Sequence, residues 1–203
     1  MSAHENLEHA EHAEHASHSG NKKIALLISV LALFLAFSET LGKSAQTAAI
    51  ADNIKASDTW NFFQAKTVRQ TSLRIAADAL TAQLPVIDNA EVKAAMTKQI
   101  ETWRNTVTRY DSDPKEKDGR KELRALAEQY EHQRDTLLAR YHQYEFASAA
   151  LQIGIVLASA EVITGMVILG WLSGLVGIVG LGFMALGLSA PHALDFLMHA
   201  GGH

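Results

Sequence analysis

A single ionisable residue stands inside the longest uncharged part of the chain. Residues 146–190 contain one charged side chain, the carboxylate of Glu161. A carboxylate well inside a membrane-spanning helix costs about 2.5–3.5 kcal/mol on insertion scales, so such residues usually face a neighbouring helix. Two types of chemistry fit this position. The carboxylate could carry protons or bind a cation, or a protonated carboxyl could form a structural hydrogen bond across a helix bundle.

Small residues share a helix face with Glu161 or lie in the glycine-rich apolar segment that follows it. Strips of small residues are typical of helices that approach each other closely in membranes. We therefore predict that Glu161 points into a helix–helix interface rather than into lipid. The residues expected to pack there are Ala150, Gly154, Ala158, Gly165, Gly174 and Gly177.

A second carboxylate, Glu39, is the only charge in the first apolar segment, residues 24–41. It lies four residues before Lys43 and hence near one membrane surface, whereas Glu161 lies nine residues before a turn predicted at Gly170. At about 1.5 Å per residue, the two depths differ by ~10 Å or more. We predict that the two carboxylates do not pair within one subunit. Glu39 then lies at a helix interface or reaches the surface, with a relay role as the alternative.

Four histidines spaced three residues apart alternate with glutamates in the N-terminal tail: His9, His12, His15 and His18. Neutral imidazoles at such spacing could bind Zn²⁺, Ni²⁺ or Cu²⁺. The alternative is a mobile acidic arm whose charge changes near pH 6.5 as the imidazoles titrate.

Composition excludes several classes of protein. The chain has no cysteine, so thiol catalysis and thiolate metal sites are absent. A net charge of −4 gives no electrostatic basis for binding nucleic acid. No nucleophile–base arrangement, phosphate-binding glycine loop or metallohydrolase motif occurs. We therefore expect no enzyme activity, no catalytic residue and no cofactor.

The charged residues are segregated along the chain although the mean hydropathy is 0.00. Residues 43–145 hold 16 of the 18 basic and 15 of the 22 acidic residues. Three apolar stretches, residues 24–41, 146–169 and 171–190, reach the roughly 20 residues of helix that a bilayer requires. We predict six segments: a disordered His/Glu-rich tail (1–21), a first transmembrane helix (22–42), an extramembrane helical hairpin (43–145), two further transmembrane helices (146–169 and 170–190) and a short interfacial C-terminal segment (191–203).

The polar middle has helical patterning throughout. Pro85 is the first proline, so the helix of span one can continue unbroken to about Leu84. Asp88 and Glu91 resemble a capping box for a second helix. A third helix has no glycine or proline before Gly154 and therefore continues into span two. Because the chain must return to the membrane, the fold class predicted is an all-α membrane protein with three transmembrane helices and a long coiled-coil-like stalk, stabilised by homo-oligomerisation.

Nearly the whole chain resembles a family of uncharacterised bacterial membrane proteins, domain of unknown function 4337. The most specific match is residues 56–70, ASDTWNFFQAKTVRQ, followed by the tail with its EH repeats. Its motif residues are Trp60, Phe62, Phe63, Gln64 and Lys66. The resemblance implies a bacterial inner-membrane protein with three spans and brings no activity or cofactor. The three aromatic side chains of the motif cannot all face one way on a helix, so we expect at least one to face a second partner.

Three functions remain open. The first is a non-enzymatic scaffold that is anchored in the bilayer, self-assembles and organises a complex with an unidentified membrane protein. The second is an ion or proton transport component that uses Glu161, and the third is a metal-binding or sensory protein. The pair Lys22 and Lys23 favours an N-terminus inside the cell and the stalk outside.

Overall fold

The computed structural model describes the backbone of residues 3–193 and the side chains of residues 22–193. Within that part the chain is helical, and no strand occurs. The four helices are α1 (Ala3–Gln83), α2 (Ala90–Asp111), α3 (Arg120–Thr164) and α4 (Val167–Ser189). Helix α1 begins at Ala3, so the structure gives a helical backbone to most of segment 1–21, which the sequence predicts to be disordered. The alanine and glutamate residues of that segment favour a helix. The side chains of its four histidines and most of segment 191–203 are not described, so the expectations for them stay predictions.

The first α-helix ends just before Pro85, close to the predicted end at about Leu84. Helix α1 ends at Gln83 and a single 3₁₀ turn, Leu84–Val86, holds the proline near its start. Helix α2 is capped by Asn89, whose side-chain oxygen accepts hydrogen bonds from the backbone N–H groups of Glu91 and Val92. The cap is therefore Asn89 and not Asp88, because Asn89 has the extended backbone that an N-cap requires.

The turn between the last two helices corrects a predicted boundary. The sequence predicts it at Gly170, but α3 ends at Thr164 and α4 begins at Val167. The turn residue is Gly165, whose φ of 71° lies in the left-handed region that favours glycine after a helix. Gly170 instead lies inside α4. The predicted spans 146–169 and 170–190 therefore meet earlier in the chain than expected.

Within the part of the chain that the structure describes, three helices are long and apolar enough to cross a membrane. They lie in Lys22–Val86, in Arg120–Thr164 and in Val167–Ser189, by length and composition. The continuous α3 agrees with the expectation that the third helix runs into span two without a break.

The chain divides into two compact units. Unit 1 consists of Met1–Ala48 and Thr136–His203. Among its described residues, small and apolar side chains of α3 are fully buried (Ala147, Leu151 and Ala158). Serine hydroxyls join the helices: Ser38 Oγ donates to the carbonyl of Tyr144 at 2.9 Å, and Ser173 Oγ to that of Gly154 at 2.7 Å. Each hydroxyl thereby finds an acceptor without water.

Unit 2 is Ala49–Asp135. Here α1 contacts α2 and then the start of α3, both antiparallel to it. Gln70 Nε2 donates to the carbonyl of Val107 at 3.0 Å, and further along Trp60 Nε1 donates to Glu131 at 2.9 Å. Helices α2 and α3 thus lie one after the other along α1 within unit 2.

Candidate functional site

The Glu161 carboxylate is buried in unit 1, between α3 and α4. The residue is 8% exposed, and its Oε2 is buried with no hydrogen-bond partner among the described residues. A Cβ placed on Gly170 would lie 1.7 Å from Oε2, so the carboxylate fits only because residue 170 has no side chain. Glu161 precedes the turn residue Gly165 by four positions, about one helical turn, instead of the nine expected from a turn at Gly170. The carboxylate therefore lies near the end of α3.

A cavity of about 200 Å³ opens beside this carboxylate. Three helices contribute to it, and its lining combines one acidic, one basic and several apolar side chains. The lining residues are Lys23, Ile24, Leu27, Glu161, Val167, Gly170 and Trp171. No ion pair of 4.0 Å or less involves Lys23 or Glu161 within the described side chains. Opposite charges thus line one cavity without neutralising each other directly.

Glu39 belongs to a different cavity of unit 1, of about 310 Å³, which Lys43, Tyr144 and Ser148 also line. The Glu39 side chain is exposed and accepts a hydrogen bond from Gln152 Nε2 at 3.3 Å. Glu161 is absent from this lining and lines the other cavity, so these two cavities each contain one of the carboxylates.

The small residues predicted to pack divide into two groups. Gly154 and Gly177 both pack against Leu31: a Cβ added to Gly154 would lie 3.2 Å from the Leu31 side chain, and one added to Gly177 would lie 2.6 Å from it. Ala158 is fully buried. Ala150 is only half-buried, Gly165 is the turn residue, and no described atom lies within 4 Å of a Cβ added to Gly165 or Gly174.

A strip with strict four-residue spacing drifts around a helix by about 40° per step, whereas alternating steps of four and three stay on one face. The buried seam follows the alternating steps: Ala147, Leu151, Gly154, Ala158 and Glu161.

The aromatic residues of the 56–70 motif point to two sides of α1 in unit 2. Trp60 and Phe63 pack edge-to-face with ring centres 5.4 Å apart, and the Arg120 guanidinium lies 5.1 Å from the centre of the Phe63 ring. Phe62 is 61% exposed, and Gln64 is exposed as well. Trp60 and Phe63 therefore stabilise unit 2 internally, while the Phe62 ring lies mainly on the surface.

Lys66 joins the motif to the loop between α2 and α3. It is 6% exposed, and its ammonium pairs with the Asp118 carboxylate at 2.6 Å, donates to the Asp118 carbonyl and lies 5.4 Å from the centre of the Tyr110 ring. Next to it, Lys121 hydrogen-bonds to Asp111 and lowers the pKa of that carboxyl. A depressed carboxyl pKa means that this contact is present at neutral pH and weakens as the pH falls through the lowered value. Lys66 thus has a structural role at the loop.

We predict that Lys66→Ala lowers the free energy of unfolding of the protein by about 2 kcal/mol, because it removes a nearly buried ammonium together with its charge-assisted hydrogen bonds to Asp118. The matched control is Lys55→Ala. Lys55 also forms an ion pair, with Asp52, but it is exposed, so its loss should leave the unfolding midpoint unchanged. The measurement is chemical unfolding in detergent, followed by circular dichroism. Equal midpoints for Lys66→Ala and the unmodified protein would show that the contact is dispensable.

Helix α1 carries a second, outward-facing apolar stripe in unit 2. The inner face of α1 is buried at seven-residue intervals, at Ala49, Ala56, Gln70 and Ala77. Exposed residues recur at the same interval on another face, here called the outer stripe: Ile54, Asn61, Val68 and Ile75. Its three apolar members are 55%, 65% and 64% exposed. Each residue of the outer stripe follows a position of the inner face by five residues, which is a rotation of roughly 140° around the helix. The outer stripe is therefore nearly opposite the inner face.

Sequence reasoning missed both the outer stripe and the proximity of Lys23 to Glu161. The spacing of Ile54, Val68 and Ile75 by multiples of seven residues is a signal that the sequence contains. However, the buried inner positions are three alanines and Gln70. The pattern of apolar residues alone therefore does not separate the inner face from the outer one. Among the described residues no group of three or more histidine, aspartate or glutamate side chains could hold a metal ion.

A comparison with protein families matches residues 20–190 to a family described as a domain of unknown function, DUF4337. No curated protein and no solved structure matches the chain. The physical features of the chain itself must therefore carry any assignment of function.

Proposed function

The chain belongs to the DUF4337 family, whose description names no activity, and we propose that it is a non-enzymatic, membrane-anchored helical scaffold that self-assembles. In this role the protein organises a membrane complex with a further membrane protein. It needs no cofactor and no nucleic acid, and we assign no catalytic residue.

Anchoring in a bilayer is supported by apolar side chains that unit 1 exposes. Ile163, Trp171 and Ile178 are each more than two-thirds exposed on helices whose length and composition suit a membrane span. Large exposed apolar surfaces are unfavourable in water and mark contact with lipid or protein. We further propose the bacterial inner membrane, with the N-terminus inside because Lys22 and Lys23 precede the first span.

Self-assembly is supported chiefly by the outer stripe of unit 2. Burying a Val or Ile side chain stabilises an interface by about 1.5–3 kcal/mol. A stripe repeated every seven residues presents such side chains along one line, which is the geometry that packs against an equivalent helix. The polar member, Asn61, occupies a position where an asparagine can select register and number of strands.

The direct test of this proposal is the molar mass of the purified protein in detergent. Sedimentation equilibrium, with the bound detergent matched in density, gives the mass of the protein component alone. We expect a defined multiple of the 22.1 kDa chain mass. A single species at the chain mass over the micromolar range would refute a self-assembling scaffold. Extraction of the protein from membranes by alkaline carbonate would refute the anchoring.

A second candidate function is an ion or proton path through Glu161, favoured by one observation. Its Oε2 is buried with no described partner, as expected for a group that exchanges protons or ions. The location of Glu161 near the end of α3 argues for a role at one surface, and Glu39 lines a separate cavity. Proton flux into vesicles that contain the purified protein tests this candidate. Flux that is lost in Glu161→Gln and retained in Glu39→Gln would favour it over the scaffold.

A further inference from the structure

We propose that the cavity beside Glu161 binds the head group of a phospholipid that carries a primary ammonium. The inference rests on the proposed membrane anchoring of unit 1. It adds a ligand site that the scaffold function does not itself require.

The cavity lies where three helices reach the same level. Lys23 stands at the start of the apolar segment of α1, Glu161 lies four residues before the turn at Gly165, and Trp171 lies four residues after the start of α4. In an embedded protein, residues at the ends of spans lie close to the head groups of the lipids. Trp171 is 79% exposed, and tryptophan is enriched at that level of the bilayer.

The charges of the cavity match a zwitterion. A ligand that carries only a positive charge would be repelled by the Lys23 ammonium. A ligand that carries only a negative charge would be repelled by the Glu161 carboxylate. A head group with both an ammonium and a phosphate can satisfy both side chains at once, the ammonium at Glu161 and the phosphate at Lys23. Phosphate is a strong acceptor for a lysine ammonium, which donates up to three hydrogen bonds.

Glu161 distinguishes between types of head group. Its Oε2 is buried without a partner, and a buried unpartnered carboxylate oxygen is costly until a donor reaches it. A primary ammonium has three N–H donors, whereas the quaternary ammonium of choline has none. The carboxylate therefore favours an ethanolamine-type head group over a choline-type one.

The remainder of the lining fits the acyl part of a lipid. Ile24, Leu27 and Val167 form an apolar wall next to the two charged residues. The volume of about 200 Å³ suits part of a lipid and not a whole one. The rest of the molecule would lie along the exposed helix surface in the bilayer.

The test is native mass spectrometry of the delipidated, full-length protein titrated with synthetic phospholipids of identical acyl chains. The head groups are phosphatidylethanolamine, its mono- and dimethyl derivatives, phosphatidylcholine and phosphatidylglycerol. We expect at least fivefold tighter binding of phosphatidylethanolamine than of phosphatidylcholine, with affinity falling stepwise as N–H donors are replaced by methyl groups. If the unmodified protein bound phosphatidylethanolamine, its methylated derivatives and phosphatidylcholine with equal affinity, the proposal would be overturned without the use of any variant.

Matched variants assign the effect to the cavity. Glu161→Gln retains the side-chain shape next to Gly170 and should bring the two affinities within about twofold of each other. Lys23→Gln should weaken all five lipids and leave the preference for phosphatidylethanolamine intact, whereas Glu39→Gln should change neither. A preference retained in Glu161→Gln would overturn the proposal.

The outcome also separates this inference from the proposed function. Carbonate extraction of the membranes and sedimentation of the purified protein report anchoring and self-assembly independently. A membrane-anchored oligomer that binds all head groups equally would refute the lipid site alone. A protein released by carbonate would refute the anchoring, and with it the site.

Discussion

Replacing both Val68 and Ile75 by glutamate is expected to dissociate the assembled protein into monomers. Both side chains belong to the outer stripe of α1 and are 65% and 64% exposed in the single chain. In a symmetric assembly each substitution removes apolar burial worth about 1.5–3 kcal/mol and places carboxylates near their symmetry mates. Two substitutions per chain should therefore raise the dissociation constant at least ~100-fold. Sedimentation equilibrium in detergent measures the change.

The control for this pair is Val92→Glu on α2. Val92 is also an exposed valine on a helix of unit 2, but it lies outside the outer stripe. It introduces one carboxylate per chain, against two in the double variant, and should leave the molar mass unchanged. Circular dichroism should show equal helix content in all three proteins, because the altered side chains are exposed in the chain itself. An unchanged mass for the double variant would exclude the outer stripe as the assembly interface.

Replacing Gly180 by leucine should strongly destabilise unit 1. A Cβ on Gly180 would come within 2.9 Å of Leu151 Cγ and 3.1 Å of the backbone oxygen of Ala147. The backbone of α3 cannot yield locally, so α4 must move away from it and lose the serine hydrogen bond from Ser173 to Gly154. Overpacking of this type typically costs about 1–3 kcal/mol. The loss should appear as a lower midpoint in unfolding by sodium dodecyl sulfate.

Gly182→Leu is the matched control on the same helix. No described atom lies within 4 Å of a Cβ added at this position, so a leucine there should be accepted with no loss of stability. Both variants replace a helical glycine by leucine, so any gain in helix propensity is common to them. Equal midpoints for Gly180→Leu and Gly182→Leu would contradict the packing of α3 against α4.

Helix boundaries set by proline were predictable, whereas those set by glycine were less so. Pro85 ends α1 because its ring and missing N–H act locally. The segment that joins α3 to α4 contains both Gly165 and Gly170, and local sequence gives each the same capacity to turn the chain. The choice depends on tertiary contact, because only a glycine at position 170 leaves room for the Glu161 carboxylate. Such a contact between two helices cannot be derived from one-dimensional patterns.

The site was only partly predictable for a related reason. Burial of Glu161 follows from its position in an apolar helix, but the proximity of Lys23 requires the packing of three helices. In unit 2, polarity misleads about which face is inside. The inner face of α1 includes the buried residues Lys66 and Gln70. The Lys66 ammonium pairs with Asp118, and the Gln70 side chain donates to the carbonyl of Val107. The more apolar residues Ile54, Val68 and Ile75 are outside, which is expected if a second chain covers them.

Cross-linking in native membranes tests self-assembly through the outer stripe most directly. The chain has no cysteine, so a single introduced thiol is unique. Copies inserted in the same direction place equivalent stripe residues at equal heights, within reach of a short bismaleimide. We predict covalent dimers for Ile54→Cys and Val68→Cys at low expression levels, and none above background for the control Val92→Cys. Cross-linking of the stripe variants no stronger than that of the control would contradict the account.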